Sequence, residues 1–205
     1  GFAQDVKIPQ LSPLQTVKQA FGVSDITIEY SRPSVRGRVI FGELVPFGKV
    51  WRTGANATTQ ITFGDDVKLE GIDVPAGTYG LYTVPGESSW DIMLYKDLKL
   101  AGNVNDYKTE NEFLRIKIAP TTTAKKFETF TINITGIEPT SASIELLWDN
   151  TCVTFGITTE VDSKVMKSIE LSMQSDKPAY FQSAGYYYNN NKDLNKALEW
   201  VNKAI

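Results

Sequence analysis

Arginine side chains are concentrated in one stretch of this chain. Four of its five arginines lie between Tyr30 and Thr58, namely Arg32, Arg36, Arg38 and Arg52. Positive charge elsewhere is carried mostly by lysine. A guanidinium group offers five donors in a planar fork that suits carboxylates, phosphates and backbone carbonyls, and an ammonium group does not. The clustering therefore indicates either an anion-binding loop or a loop that its own arginines hold in place.

Aromatic and polar residues accompany these arginines. Trp51 precedes Arg52, and a polar run, Thr53 to Asn56, follows it. Arg36 lies at the predicted tip of the same loop, next to Gly37. Such groups suit a ligand that has a flat apolar face and acidic or hydroxyl groups, which predicts a bound carboxylate, phosphate or oligosaccharide. The predicted ligand-binding residues are Arg36, Arg52, Asn56, Trp51, Arg32, Arg38 and Tyr82, with Tyr79 beside Tyr82 as a further stacking residue.

The same residues have a structural alternative. Arginines that bridge backbone carbonyls and nearby carboxylates hold a long loop in place, at about 1.5–3 kcal/mol for each hydrogen bond to a charged group. Trp51 would then belong to the core. The glycines of the loop would occupy turns that need a positive φ. Both interpretations stay open at the level of sequence.

Catalytic alternatives are limited by the absence of histidine. Without it there is no Ser-His-Asp triad, no Cys-His pair and no His-ligated zinc. A carboxylate-dependent hydrolase acting on glycans remains, and it would need two carboxyl groups at a fixed distance. Glu29, Glu43, Asp91 and Asp149 are available, but each is isolated in the sequence. We therefore expect a binding protein rather than an enzyme, with no metal or other cofactor.

Composition limits which partners and which cellular location are compatible with this chain. A net charge of -3 and a pI near 5.1 argue against a nucleic-acid partner. The single cysteine, Cys152, forms no internal disulfide and is expected to be buried in a strand. No apolar run is long enough to predict a transmembrane segment. Gly1 resembles a cloning remnant and Phe2 to Gln4 the end of a cleaved secretory signal, so we expect export to the periplasm or beyond.

The positions of these residues depend on a chain that is mostly β up to Thr159. Asp25 to Tyr30 alternates apolar and polar residues, as a half-buried strand does. The other predicted strands are residues 16–20, 58–63, 67–70, 78–84, 90–95, 112–119, 127–135, 143–148 and 151–158, with turn residues between them. We predict a tight hairpin turn at Asp149-Asn150 and a surface loop over Ala101 to Asn111. After an N-terminal arm, residues 1–12, residues 13–159 are thus predicted to form an antiparallel β-sandwich of the jelly-roll type.

The pattern becomes helical at Glu160, which predicts a helical extension over residues 160–205. Apolar residues between Val161 and Met173 share one face of a first helix. A second helix is expected to begin near Pro178, where a missing N–H costs nothing. A third covers Leu194 to Ile205, with its apolar residues on one stripe.

Two parts of the chain resemble known families. The run S-R-P-S-V-R-G-R-x-I-F-G-x-L-V-P-F-G-x-V-W-R-T-G-A-N-x-T, from Ser31 to Thr58, resembles the signature of the domain of unknown function 2911 family. Val74 to Gly86 and the Trp90 strand are similar to that family's continuation, so the resemblance covers about residues 10–159. It implies an exported bacterial protein that is mostly β, with no established activity.

The last helices resemble part of a tetratricopeptide repeat. Phe181, Gly185, Tyr188 and Ala197 have the spacing of that motif, and Lys192 to Leu194 matches its turn. The repeat takes about 34 residues, more than the chain offers from Pro178. One repeat cannot bury its own apolar face, so we expect a further C-terminal stretch or packing against the sandwich. The resemblance implies, as a third alternative, a protein-interaction scaffold with a groove for a partner.

Overall fold

A computed structural model gives the structure of residues 8–100 and 102–205. The predicted secretory remnant, and most of the predicted N-terminal arm, lie outside the described residues. The chain divides into two compact units, one ending at Thr159 and one running from Glu160 to Ile205. Within the described residues, no helix has the length and apolar character needed to cross a membrane.

The first unit consists of two antiparallel sheets. The larger has six strands in the order β1-β2-β3-β6-β7-β8, and the smaller has four in the order β5-β4-β10-β9. The strands are β1 Leu14–Phe21, β2 Ser24–Ser31, β3 Ala55–Phe63, β4 Val67–Leu69, β5 Ile72–Val74, β6 Gly77–Val84, β7 Trp90–Tyr95, β8 Glu112–Ile118, β9 Thr121–Thr135 and β10 Ser141–Thr158. β5 has no counterpart among the predicted strands, since its three residues are too few to show alternation.

The core lies between the two sheets. The alternation in β2 places Ile26, Ile28 and Tyr30 in it, all at most 1% exposed. They share one cluster with residues of the smaller sheet such as Ile144 and Phe155. The predicted antiparallel sandwich is confirmed. The jelly-roll detail is not, because most strands that follow each other in sequence pair within one sheet.

The predicted hairpin turn at Asp149-Asn150 is wrong. β10 runs through these residues, and its two halves pair with the same strand, β9. Asp149 takes a φ of 50°, and the register with β9 shifts on both sides of it. A bulge absorbs this local conformation without reversing the chain. Cys152, just beyond the bulge, is buried in β10 as expected.

Two long connections cover the ends and outer face of the larger sheet. The arginine loop, defined here as residues 32–54 between β2 and β3, contains no strand among the named elements and pairs with the sheets through isolated bridges such as Trp51 to Thr83. The strap, defined here as residues 96–111 between β7 and β8, includes the surface loop predicted over Ala101 to Asn111. In its described part it contains three single-turn 3-10 helices, Leu98–Leu100, Val104–Asp106 and Thr109–Asn111.

The second unit has three helices, as predicted. They are α1 Asp162–Met173, α2 Tyr180–Asn189 and α3 Leu194–Ala204. Pro178 precedes α2 by two residues, which suits a residue that cannot donate a backbone hydrogen bond. The side chain of Asp193 caps α3 by accepting from the backbone of Asn195 and Lys196 at 2.9 and 3.1 Å. A small core around Ile169 and Trp200 joins the helices.

Candidate functional site

Arg32 ties the arginine loop to the smaller sheet. Its Nε donates to the carbonyl of Phe130 at 2.9 Å, and its Nη2 donates to Thr131 Oγ1 at 2.7 Å. Both acceptors belong to β9, about a hundred residues away in sequence. The guanidinium therefore donates these hydrogen bonds to the protein itself, as the structural alternative requires.

Arg36, Arg38 and Asn56 also donate to backbone carbonyls. Arg36 Nη2 reaches Leu11 O at 2.8 Å, and Asn56 Nδ2 reaches Ser12 O at 3.2 Å. Arg38 spans its own turn, with hydrogen bonds to Val35 O at 3.0 Å and Ser34 O at 2.6 Å. These contacts hold the loop and the segment before β1 in place. None of the three side chains lines the groove beside Arg52 that is described below.

Trp51 is packed against other aromatic rings. Its ring stacks on Trp148 at 5.7 Å between centroids with 16° between planes, and Phe130 meets it edge-on at 5.1 Å. Its Nε1 donates to the carbonyl of Gly54 at 3.1 Å. The ring face that a flat ligand would stack on is thus occupied by Trp148.

Tyr79 and Tyr82 lie on opposite faces of β6. Tyr79 belongs to the core between the sheets, whereas Tyr82 lies on the outer face beneath the strap. Tyr82 is 1% exposed, and its hydroxyl lies 2.7 Å from Thr58 Oγ1. Burial raises the pKa of Tyr82, and the hydrogen bond with Thr58 only partly offsets that effect. The two residues therefore form no shared wall for a ligand.

Arg52 differs from the other arginines of the loop. Its Nη1 makes one long hydrogen bond, 3.3 Å, to the carbonyl of Gly102 in the strap. Its Nε is buried and has no hydrogen-bond partner among the described residues. The strap packs directly on it, since a Cβ on Gly102 would lie 3.1 Å from Arg52 Cδ and 2.8 Å from Asn56 O. Among the arginines of this loop, Arg52 is therefore the one that has a buried donor without a partner in the described part of the chain.

A groove of about 610 Å³ opens beside Arg52. We call it the Arg52 groove. Its described lining contains two cations and one amide but no acidic residue. Its residues are Leu44, Val45, Pro46, Gly48, Lys49, Val50, Trp51, Arg52, Val104 and Asn105. Of the predicted ligand-binding residues it unites only Trp51 and Arg52. Lys49 and Asn105 also line the groove but were not among the predicted ligand-binding residues. The position of Lys49, three residues before Arg52, could have indicated it, whereas nothing in the sequence links Asn105 to this loop.

A second polar cluster lies on β7, β8 and the strap. Arg115 binds Glu112 through Nε and Nη2 at 2.9 and 2.6 Å, and its Nη1 binds Asp91. Lys117 reaches Asp91 at 2.9 Å, and Tyr107 donates to Glu112 at 3.0 Å. Burial opposes ionisation of Asp91, but hydrogen bonds from Lys117 and Arg115 outweigh it and lower its pKa.

This second cluster anchors the strap, and its Asp91 is unsuited to act as a general acid. An Asp with a lowered pKa is ionised at neutral pH and is a poor general acid. Asp149, another candidate for the hydrolase alternative, is paired with Lys126 at 3.0 Å. In the described part of the chain, no group of three or more metal-binding side chains comes together.

Comparison with known proteins agrees with the resemblance of the first unit. The family model described as "Protein of unknown function (DUF2911)" matches residues 12–157. This match ends before the three helices, so no family match confirms the tetratricopeptide-like segment. No curated protein and no solved structure matches the chain. Because one family model covers well over half of its length, the chain belongs to the DUF2911 family, whose function is unknown.

Proposed function

We propose that the first unit is a binding module for a small anion with an apolar part, and that the Arg52 groove is its site. The observation that carries this proposal is the guanidinium of Arg52. It lies partly buried in a groove that also holds Lys49, and its Nε lacks a hydrogen-bond partner among the described residues. Arg32, Arg36, Arg38 and Asn56 serve the fold and lie outside this proposal.

The charge of the groove favours an anion. Burying a cation costs free energy unless an opposite charge or hydrogen-bond acceptors compensate for it. The described lining supplies no carboxylate to Arg52 or Lys49. A carboxylate or phosphate of the ligand would provide this compensation through charge-assisted hydrogen bonds.

The uncharged residues of the Arg52 groove indicate what the uncharged part of the ligand should be. Leu44, Pro46, Val50 and Val104 present apolar surface, and Asn105 adds one amide. This lining suits an aliphatic or aromatic acid or phosphate ester better than an oligosaccharide. A sugar would need an open aromatic face, and that of Trp51 is covered by Trp148. We also propose that this binding module is exported, which the family resemblance supports.

The test is a thermal-shift and calorimetric titration with acetate, hexanoate, inorganic phosphate, phenyl phosphate and galacturonate. A ligand at a hundred times its dissociation constant stabilises the protein by about 2.7 kcal/mol, which is readily measured. We expect phenyl phosphate or hexanoate to stabilise the wild type more than phosphate or acetate. Arg52→Lys, which keeps the charge and loses the fork, and Lys49→Gln should each abolish or strongly reduce the shift.

Arg38→Gln is the matched control. Its side chain is exposed and, within the described residues, bonds only to its own turn, so this variant should bind as the wild type does. If the wild type binds none of these anions, the proposal is wrong. It is also wrong if Arg38→Gln and Arg52→Lys lose binding equally while both remain folded.

A further inference from the structure

An uncharged apolar face lies on α2 and α3 of the second unit. Several of its large side chains are more than half exposed: Phe181 70%, Tyr188 71%, Leu194 57% and Leu198 60%. A shallow groove of about 430 Å³ runs between the two helices on this side. Contiguous apolar surface of this kind is unusual on a monomer and marks an interaction site. We call it the α2–α3 face.

The shape of this face combines ridges with a groove. On α2, Phe181 and Tyr188 are seven residues apart and flank Ala184 and Gly185 at the groove floor. On α3, Leu194 and Leu198 form a parallel ridge, with Ala197 on the floor. Small residues between large ones let the ridge of another helix approach closely. A ridge and a groove side by side are what a two-fold symmetric pairing needs, because each copy then offers both.

The charged side chains of α3 lie on its other side. Lys196, Glu199 and Lys203 pair with one another at 3.0 and 2.6 Å. The helical period places all three roughly opposite Leu194 and Leu198. Lys196 also lies over the Trp200 ring, at 5.6 Å from its centroid. α2 carries no charged residue. Two copies of the α2–α3 face therefore meet without bringing like charges together.

The exposed area is large enough for such a pairing. Taking about 200 Å² for a whole aromatic side chain and somewhat less for Leu, the four exposed side chains offer about 500 Å² per copy. A symmetric pair would bury about 1,000 Å², which reaches the lower size limit of a specific interface. We propose that the α2–α3 face docks on the same face of a second copy of this chain, giving a two-fold dimer. This proposal is independent of the Arg52 groove.

The test is the molar mass of the full 205-residue chain by light scattering and sedimentation over a range of concentrations. The wild type should approach twice the chain mass of 22.8 kDa as concentration rises. Leu198→Glu and Phe181→Glu each place a charge in the interface and should raise the dimer dissociation constant at least about tenfold. Leu171→Glu is the matched control, because Leu171 on α1 is equally exposed, 59%, but does not line the α2–α3 groove.

Two results would overturn the proposal. One is a wild type that stays at 22.8 kDa over the whole range. In that case, binding of a hydrophobic dye that Leu198→Glu no longer binds would assign the face to a different helix or protein. The other is a dimer that both face variants retain, since its contact would then lie elsewhere. Circular dichroism of each variant establishes that its helices are intact.

Discussion

Two arginines of the same loop should respond in opposite ways to the same substitution. Arg32→Met removes two hydrogen bonds from a charged donor, to Phe130 O at 2.9 Å and Thr131 Oγ1 at 2.7 Å. Each such bond contributes about 1.5–3 kcal/mol. Because Arg32 is only half-buried, we take about 1.5 kcal/mol, the lower end of this range, for each of the two bonds. The expected loss in the free energy of unfolding is therefore about 3 kcal/mol.

Arg52→Met should leave the free energy of unfolding unchanged or slightly raised. The variant loses one long hydrogen bond, to Gly102 O at 3.3 Å, for which about 1 kcal/mol is a fair value. It also removes a buried Nε that lacks a partner. Because burying an unpaired donor costs about 1–3 kcal/mol, its removal should raise the free energy of unfolding by that amount. Methionine keeps most of the apolar stem that packs against the strap. The net change should therefore lie between about zero and a gain of about 2 kcal/mol in the free energy of unfolding, while anion binding is lost.

The assay is urea unfolding followed by tryptophan fluorescence. It reports mainly on the first unit, which holds Trp51, Trp90 and Trp148. For a chain of this size, 1 kcal/mol corresponds to about 2–4 °C in Tm, so the expected difference between the two variants is also visible in a thermal scan. An Arg52→Met variant that is as unstable as Arg32→Met would refute the reasoning, because Arg52 would then be a structural residue like Arg32.

Two further predictions concern the strap and its anchor. Gly102→Ala should lower the free energy of unfolding by about 1–3 kcal/mol, because Gly102 has a φ of 87° and its new Cβ would lie 2.8 Å from Asn56 O. Gly71→Ala is the control in urea unfolding, because Gly71 has a φ of 81° but no atom lies within 4 Å of its added Cβ. It should lose less free energy of unfolding than Gly102→Ala. An equal loss would exclude the close contact with Asn56 as the cause. The lowered pKa of Asp91 means that its ion pairs stabilise the fold above the unfolded value of about 3.9, and that this stability is lost as pH falls through the lower folded value. Between about pH 5 and pH 2, the free energy of unfolding measured with urea should therefore fall more steeply for the wild type than for Asp91→Asn. Parallel curves for the two proteins would contradict this.

Local patterns were enough to predict most of the fold. Alternation in β2 and β7 and helical spacing in α1 and α3 depend on neighbours within a few residues, which the sequence shows directly. The turn at Asp149-Asn150 was wrong because the two halves of β10 look like separate strands until their common partner, β9, is known. The difference between a turn and a bulge there is a matter of long-range pairing.

The sequence by itself determined that the chain has a β unit and a helical unit, that histidine chemistry is absent, and that one loop is rich in arginine. It did not determine what each arginine does. The acceptors of Arg32 are about a hundred residues away, and the strap residue that meets Arg52 is 50 residues away. Only the tertiary structure decided that Arg32 is engaged while Arg52 keeps an unpartnered donor, because hydrogen bonds are formed by groups that folding brings within about 3 Å, whatever their separation along the chain.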